Sequence, residues 1–404
     1  MNIDNSSIAL VHDWYLANSI GGAEKVSFTI DELLTSNFSS PDLFALTENI
    51  SKKKVDLFNG RKINTSFIQK IPYGKNNVQR FLPLIPFAIE QIDLSKYDLI
   101  ISSSHISAKG ILTSPDQLHI SYIHTPMRYA WDQMNTYIAK SKMKEFGLEF
   151  PLRYLLFKLR EWDFISGQRP DLLIANSNFT ARRIKKYWGL NSEVIHPPVD
   201  IKRFEYKQDR GNFYLSVNRL VPNKRVDLII KAFNKLDLPL IIVGDGPEKK
   251  RLKKIANKNI IFKNKSSNKH IEKLMSTCRG FVYAGVEDFG IAPVEALASG
   301  SPVIAFAKGG LLDTITCINN CPKDKYATGL LFKKQNINYI VDAISWFENN
   351  QVWERFNSRD LNEFAFKFNP ENFKNNLTSF INKSLDKHQK KLGKKCKINT
   401  YFNQ

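Results

Sequence analysis

The amino-acid sequence predicts an α/β protein of two Rossmann-like domains, and three observations lead there. Short β-branched runs alternate with amphipathic stretches along most of the chain, the pattern of a parallel sheet with helices on both faces. That pattern breaks at His196-Pro197-Pro198-Val199-Asp200 and then restarts, since paired prolines interrupt regular structure. The length, 404 residues, exceeds what a single hydrophobic core usually supports.

In order, the first set of strand-like runs covers residues 8–12, 43–47, 99–102, 119–124 and 172–175. The second covers 213–217, 240–243, 260–262, 280–283 and 303–306. Open α/β sheets bind ligands at the carboxyl ends of their strands, so the expected site is an interdomain cleft. Residues 335–385 read as helices, with Ile337, Ile340, Val341, Ile344 and Phe347, then Phe373, Leu377, Phe380 and Ile381, at helical spacing. The expected domains are 1–200, completed by a helix near 370–385, and 201–369. A Lys-rich stretch, 386–404, has too little apolar content to pack and is expected to be a disordered tail.

Lys and Arg outnumber Asp and Glu by 59 to 39, a formal charge of +20, which favours polyanionic partners. The basic clusters at 52–54, 182–186, 263–269 and 387–397 carry no interleaved aromatic platform, so nucleic acid is not the expected partner. No run of about 18 apolar residues is present, and a first stretch without a basic segment followed by an apolar one leads us to expect no secretory leader; Cys278, Cys317, Cys321 and Cys396 lack paired metal spacing. A cytoplasmic protein is expected. The histidines show no ligand spacing and no Asp-x-Asp pair is present, so no metal or other cofactor is expected. Residues 150–160 mix apolar side chains with Arg153, Lys158 and Arg160, a composition suited to the surface of an anionic membrane.

Four segments suggest chemistry. The first strand leads through His12-Asp13-Trp14 to Gly21-Gly22-Ala23-Glu24 and a helical pattern; paired glycines at a helix start leave free amides that suit a phosphate. Arg219 and Lys224 follow a strand of the second set, where a guanidinium can grip a diphosphate and an ammonium can add charge. Gly244-Asp245-Gly246 is a tight turn after the next strand. The stretch from Glu287 to Gly300 reads as a loop entering a helix at about Ala292, with Glu287 before it and Glu295 in its first turn. The two carboxylates bracket the free amides of Phe289, Gly290, Ile291 and Ala292, an arrangement suited to a sugar diphosphate and its hydroxyls.

With Glu287 and Glu295 spaced as Glu, seven residues, Glu, the sequence resembles glycosyltransferase family 4, retaining enzymes of GT-B fold. The likeness extends over Gly21-Gly22-Ala23-Glu24, Tyr122 to Tyr129, Asn176-Ser177, Arg219 with Lys224, Gly244-Asp245-Gly246 and Ala307-Lys308-Gly309-Gly310. Leu82-Pro83-Leu84, Ser102-Ser103-Ser104-His105 and His124 to Asp132 look like bacterial mannosyltransferases of O-antigen synthesis. The resemblance implies GDP-mannose as sugar donor and a glycan or lipid-linked acceptor, with peripheral attachment to the inner face of the cytoplasmic membrane. It further implies that Gly21 and Gly22 lie at the diphosphate, that Arg219 and Lys224 hold it, and that Gly244 lines the nucleotide site. Glu295 would bind the ribose, Glu287 the hexose, and His124 would stand beside the reacting sugar. Two departures stand out: Phe262-Lys263-Asn264-Lys265 lacks the glycine usual beside the base, and residues 316–327 form a polar insertion. The rival readings are a family 4 transferase using another donor such as a UDP-hexose, and a sugar-nucleotide epimerase or hydrolase of the same architecture.

Overall fold

The computed structural model describes residues 7–16, 21–50, 58–139, 141, 146–264, 267–321 and 326–393. The chain divides into two compact units, residues 1–198 with 373–404, and residues 199–372.

In the first unit, seven strands form one sheet: β1 (Ile8–Leu16), β2 (Asp42–Asn49), β3 (Ile63–Thr65), β4 (Leu99–Ser104), β5 (Leu118–Ile123), β6 (Leu172–Ala175) and β7 (Glu193–Val194). Their order is β3-β2-β1-β4-β5-β6-β7, and every pair is parallel. The central strands are buried along their length because helices cover both faces, which is why they read as continuous apolar runs rather than alternating ones. One face meets Val26, Ile30, Leu33 and Leu34 of helix α1 (Gly22–Asn37) together with Phe373, Leu377 and Ile381 of the carboxyl-terminal helix Pro370–Lys391. The opposite face meets Leu152, Leu156 and Leu159 of helix α2 (Glu149–Gly167).

Beneath α2 lies a buried ion pair. Lys109, in a single helical turn Ala108–Gly110, and Asp163 of α2 are 2% and 0% exposed, and Lys109 Nζ donates to Asp163 Oδ1 at 2.8 Å. The Trp131 and Trp188 indole N–H groups donate to the other carboxylate oxygen at 2.7 and 2.9 Å, and the Trp162 and Trp188 rings flank the ammonium at 5.2 Å. The outer face of α2 leaves Phe150, Tyr154, Phe157, Phe164 and Ile165 exposed, continuing from exposed Phe146 and Leu148. Among the described residues no helix is long and apolar enough to cross a membrane.

The second unit holds six parallel strands, β8 (Tyr214–Val217), β9 (Leu240–Val243), β10 (Ile260–Lys263), β11 (Gly280–Tyr283), β12 (Val303–Phe306) and β13 (Gly329–Phe332), in the order β10-β9-β8-β11-β12-β13. Both sheets therefore reverse their strand order once, between β1 and β4 and between β8 and β11. A reversal opens a crevice at the carboxyl ends of the two strands concerned.

Several expectations need correcting. The first strand runs on to Leu16, so His12, Asp13 and Trp14 lie in the sheet rather than after it. Edge strands β3, β7 and β13 add to the ten expected, being two to four residues long with too little periodicity to announce them. The terminal helix continues to Lys391, so residues 386–391 are helical and not part of a tail; the remainder of that stretch from 394 on, and the basic cluster at 52–54, lie outside the described residues.

Removing one member of a buried ion pair leaves an uncompensated charge. Lys109→Met should accordingly cost about 3–5 kcal/mol of stability in denaturant unfolding; a loss below about 1 kcal/mol would show that the pair does not hold the first unit together.

Candidate active site

The reversal in the first unit gathers side chains that are remote in sequence. Parallel register sets His12 opposite Ser103 and Ser104 opposite Ile123, so the ends of β1, β4 and β5 bring His12, His105 and His124 together. Their ring centroids are 5.9, 6.4 and 6.5 Å apart. Asp13, fully buried, accepts backbone N–H groups from His105, Ile106, Ser107 and Ala108, and the Ser107 hydroxyl at 2.7 Å. The His105 Nδ1 atom sits 2.8 Å from Asp13 Oδ2, a close electrostatic contact rather than a well-aligned hydrogen bond.

Burial works against ionisation of Asp13, but the His105 ring outweighs it and holds the carboxyl well below the usual carboxylate range. Burial likewise opposes a charge on His105, and the Asp13 carboxylate overrides it, raising that imidazole. His12 and His124 go the other way. Burial lowers His12 despite Glu24 and Asp13 nearby, and lowers His124 well below the ordinary histidine value, with His12 and His105 adding to the effect. The His124 Nε2 atom lies 2.8 Å from the Ser103 hydroxyl, and His12 Nδ1 lies 2.9 Å from the Ser103 carbonyl. That carbonyl can only accept, so Nδ1 carries the His12 proton and Nε2, buried without a partner among the described residues, is a bare acceptor.

Gly21 and Gly22 stand where the sequence puts them, at the start of α1. The Glu24 carboxylate turns back and accepts the Gly21 N–H at 2.7 Å, so that amide is already engaged and the helix start is less open to phosphate than the glycine pair suggests.

In the second unit, Arg219 and Lys224 follow β8 and Glu287 follows β11, the two strands flanking the reversal. The Arg219 side chain is exposed and pairs with no carboxylate among the described residues. Lys224 Nζ and the Tyr283 hydroxyl both donate to Glu287 Oε1, at 2.6 and 2.7 Å. Helix α3 (Ile291–Ala298) starts at Gly290, whose φ of 101° is a left-handed value. A Cβ at Gly290 would come within 2.5 Å of Leu311, so only glycine suits the position. Glu295 falls in the second turn of α3, not the first, and its Oε1 accepts from Arg203 Nη2 at 2.6 Å.

Ile291 and Ala292 are half-buried beside Gly290. The Phe289 ring is 4% exposed and meets Phe368 edge-on at 5.3 Å, so its side chain belongs to the core. Gly244 also has a packing role, since a Cβ there would lie 1.8 Å from the Asn218 carbonyl oxygen. The sequence reading missed Asp13, His105, Arg203, Tyr283 and the Lys109–Asp163 pair. The motifs His12-Asp13-Trp14 and Ser102-Ser103-Ser104-His105 were the available signal for the first two; nothing local marks the rest.

The family described as Glycosyltransferase Family 4 matches residues 20–203 and that described as Glycosyl transferases group 1 matches 199–368. This chain belongs to glycosyltransferase family 4. It is similar to an uncharacterised glycosyltransferase of Methanocaldococcus jannaschii, 30% identical over 201 residues, covering 48% of this chain and 52% of the relative, so the match spans about half of that protein's length. It is also similar to an alpha-1,3/1,6-mannosyltransferase of Saccharomyces cerevisiae, 25% identical over 397 residues, covering 81% of this chain and 75% of the relative. Among solved structures it resembles Anabaena HepE in complex with UDP and glucose, at 15% identity and a TM-score of 0.65, covering 94% of this chain and 100% of the other. That likeness shows the fold, GT-B: two Rossmann-like domains, here of seven and six strands.

The buried neutral histidines of this family 4 enzyme give an acid-sensitivity prediction. His119, whose Nε2 lies 2.8 Å from the Ser102 hydroxyl, is pushed down by burial to about 3. Below about pH 6.5 the unfolded chain takes up a proton there that the folded chain does not, so stability falls as pH falls, by about 1.4 kcal/mol per pH unit per such histidine. Melts at pH 7.5 and 5.5 should show a smaller acid loss in His119→Gln than in the parent. Equal losses would mean that another group carries the sensitivity.

Proposed function

We propose that this family 4 enzyme is a retaining hexosyltransferase that moves mannose from GDP-mannose to a lipid-linked or polysaccharide acceptor in cell-surface, O-antigen-like glycan synthesis. The observation that carries the reading is the group at the β8–β11 reversal, where Lys224, which like exposed Arg219 follows β8, pairs with Glu287, which follows β11. Arg219 can take a diphosphate through paired N–H groups and Lys224 can shift from Glu287 to the phosphate charge that builds as the sugar departs. Glu287, an anion beside the sugar, stabilises the positive character of the anomeric carbon. The acceptor hydroxyl attacks on the face the diphosphate leaves, its oxygen bonding to the anomeric carbon as the carbon–phosphate-oxygen bond breaks. Its proton passes to the departing diphosphate. No metal or other cofactor takes part in this scheme. The mannosyl assignment is supported by the name of the yeast relative, and the acceptor class by the resemblance in the segment from His124 to Asp132. A UDP-hexose is the second reading, favoured by the UDP and glucose held by the Anabaena protein.

A panel of nucleotide sugars separates these readings: turnover of GDP-mannose with sugar transferred supports the first, turnover of a UDP-hexose alone the second, and free sugar or epimer without transfer excludes both. The two glutamates should fail differently. Glu295→Gln weakens ribose binding in ground and transition state alike, by about 1.5–3 kcal/mol, and raises KM for the sugar donor. Glu287→Gln should mainly lower kcat. Near-parental kinetics in both would remove these residues from catalysis.

We also infer that the enzyme works in the cytoplasm against the inner face of the cytoplasmic membrane, with the outer face of α2 as the contact. Phe150, Tyr154 and Phe157 are exposed there beside Arg153 and Lys158, aromatic and basic side chains of the kind that seat in an anionic interface. The protein should float with anionic liposomes at low salt, and a Phe150→Ser, Phe157→Ser variant should not. Equal flotation of the two would place the contact elsewhere.

A further inference from the structure

The two signature glutamates share a pattern. Each is held through one oxygen only. Glu287 Oε1 takes both the Lys224 ammonium and the Tyr283 hydroxyl, while Oε2 has no hydrogen-bond partner among the described residues. Glu295 Oε1 takes Arg203 Nη2 at 2.6 Å, and its Oε2 is likewise without a partner there.

The holding groups are themselves fixed. Tyr283 is the last residue of β11 and 3% exposed. Its phenol reaches forward to a carboxylate four residues on, and the Lys224 ammonium lies 5.7 Å from its ring centroid. Gly285 lets the two loops close: a Cβ there would sit 3.1 Å from Lys224 Cα and 3.3 Å from the Tyr283 ring. Arg203 is braced on two further sides, by Glu272 at 3.2 Å and by the Phe204 ring 4.3 Å beneath its guanidinium.

A carboxylate tied by one oxygen keeps its rotamer and offers the other oxygen in a set direction, which is pre-organisation of an acceptor for a hydroxyl. We propose that Tyr283 and Arg203 are positioning residues of the sugar-donor site: Tyr283 aims Glu287 Oε2 at the hexose, and Arg203 aims Glu295 Oε2 at the nucleotide ribose. This rests on the functional reading above. Lys224 alone does not suffice for Glu287, because an ammonium is free to follow the phosphate while a phenol on a buried strand end is not. Tyr283 thus keeps the carboxylate in place when Lys224 turns to the diphosphate.

The test is a pair of double-mutant cycles with transfer kinetics, read only for variants that melt near the parent. Tyr283→Phe removes one hydroxyl and should lower kcat roughly ten- to a hundredfold with little change in KM, and should do almost nothing further when added to Glu287→Gln. Arg203→Met should raise KM for the sugar donor, Arg203→Lys should restore part of it, and Arg203→Met should add little to Glu295→Gln. Parental kcat in Tyr283→Phe, or effects that multiply fully in both double variants, overturns the proposal. If Glu287→Gln and Glu295→Gln are themselves parental, the functional reading has failed and this proposal with it; if they are impaired while Tyr283→Phe and Arg203→Met are not, only the proposal falls.

Discussion

The first unit depends on what one buried carboxylate does. Asp13 ends up at the boundary of β1 and β4, where the chain leaves the sheet through four consecutive residues whose N–H groups point inward. Buried N–H groups without partners are costly, and no neighbouring strand edge could satisfy four of them within one turn. Asp13 supplies an acceptor to all four and a counter-charge to His105. The same turn continues into Lys109, which Asp163 of α2 grips from the other side. Strand and helix therefore clamp one short segment between two acids, and the histidine group at its edge inherits that rigidity.

The second unit reaches comparable order by different means. Its loops are held through missing side chains: Gly244 and Gly246 lie against the Asn218 and Leu220 carbonyls, and Gly309 and Gly310 against the backbone of Glu287 and Asp288. The Gly310 N–H donates to the Glu287 carbonyl at 2.8 Å. Backbone packed on backbone fixes these loops without using their charged side chains, which instead pair with one another, Lys224 with Glu287 and Arg203 with Glu295. Charge organises the first unit; close approach organises the second.

The legibility of the sequence follows the same division. Central strands were readable because burial on both faces makes them continuous apolar runs, and the family signature was readable because Glu287, Gly290 and Glu295 are local to one loop and helix. The edge strands were not, since two or three residues such as Glu193–Val194 carry no period. Asp13, His105 and His124 are 92 and 111 residues from the first to the others in sequence by simple numbering, and only parallel register brings them into contact. Arg203 and Tyr283 were invisible for a related reason: their meaning lies in which oxygen of a distant or neighbouring glutamate they touch. The placement of Glu295 in the first turn came from starting the helix one residue late, at Ala292, when the left-handed Gly290 lets it begin at Ile291.

The first unit is discontinuous. Its sheet face carrying Ile8 and Leu10 is closed by Phe373, Leu377 and Ile381, residues that leave the ribosome after the whole of 199–372. The second unit is contiguous and can complete itself during translation, whereas the first must wait with part of its apolar surface uncovered. Vectorial synthesis therefore reverses the order that numbering suggests, and the amino-terminal half is the one finished last.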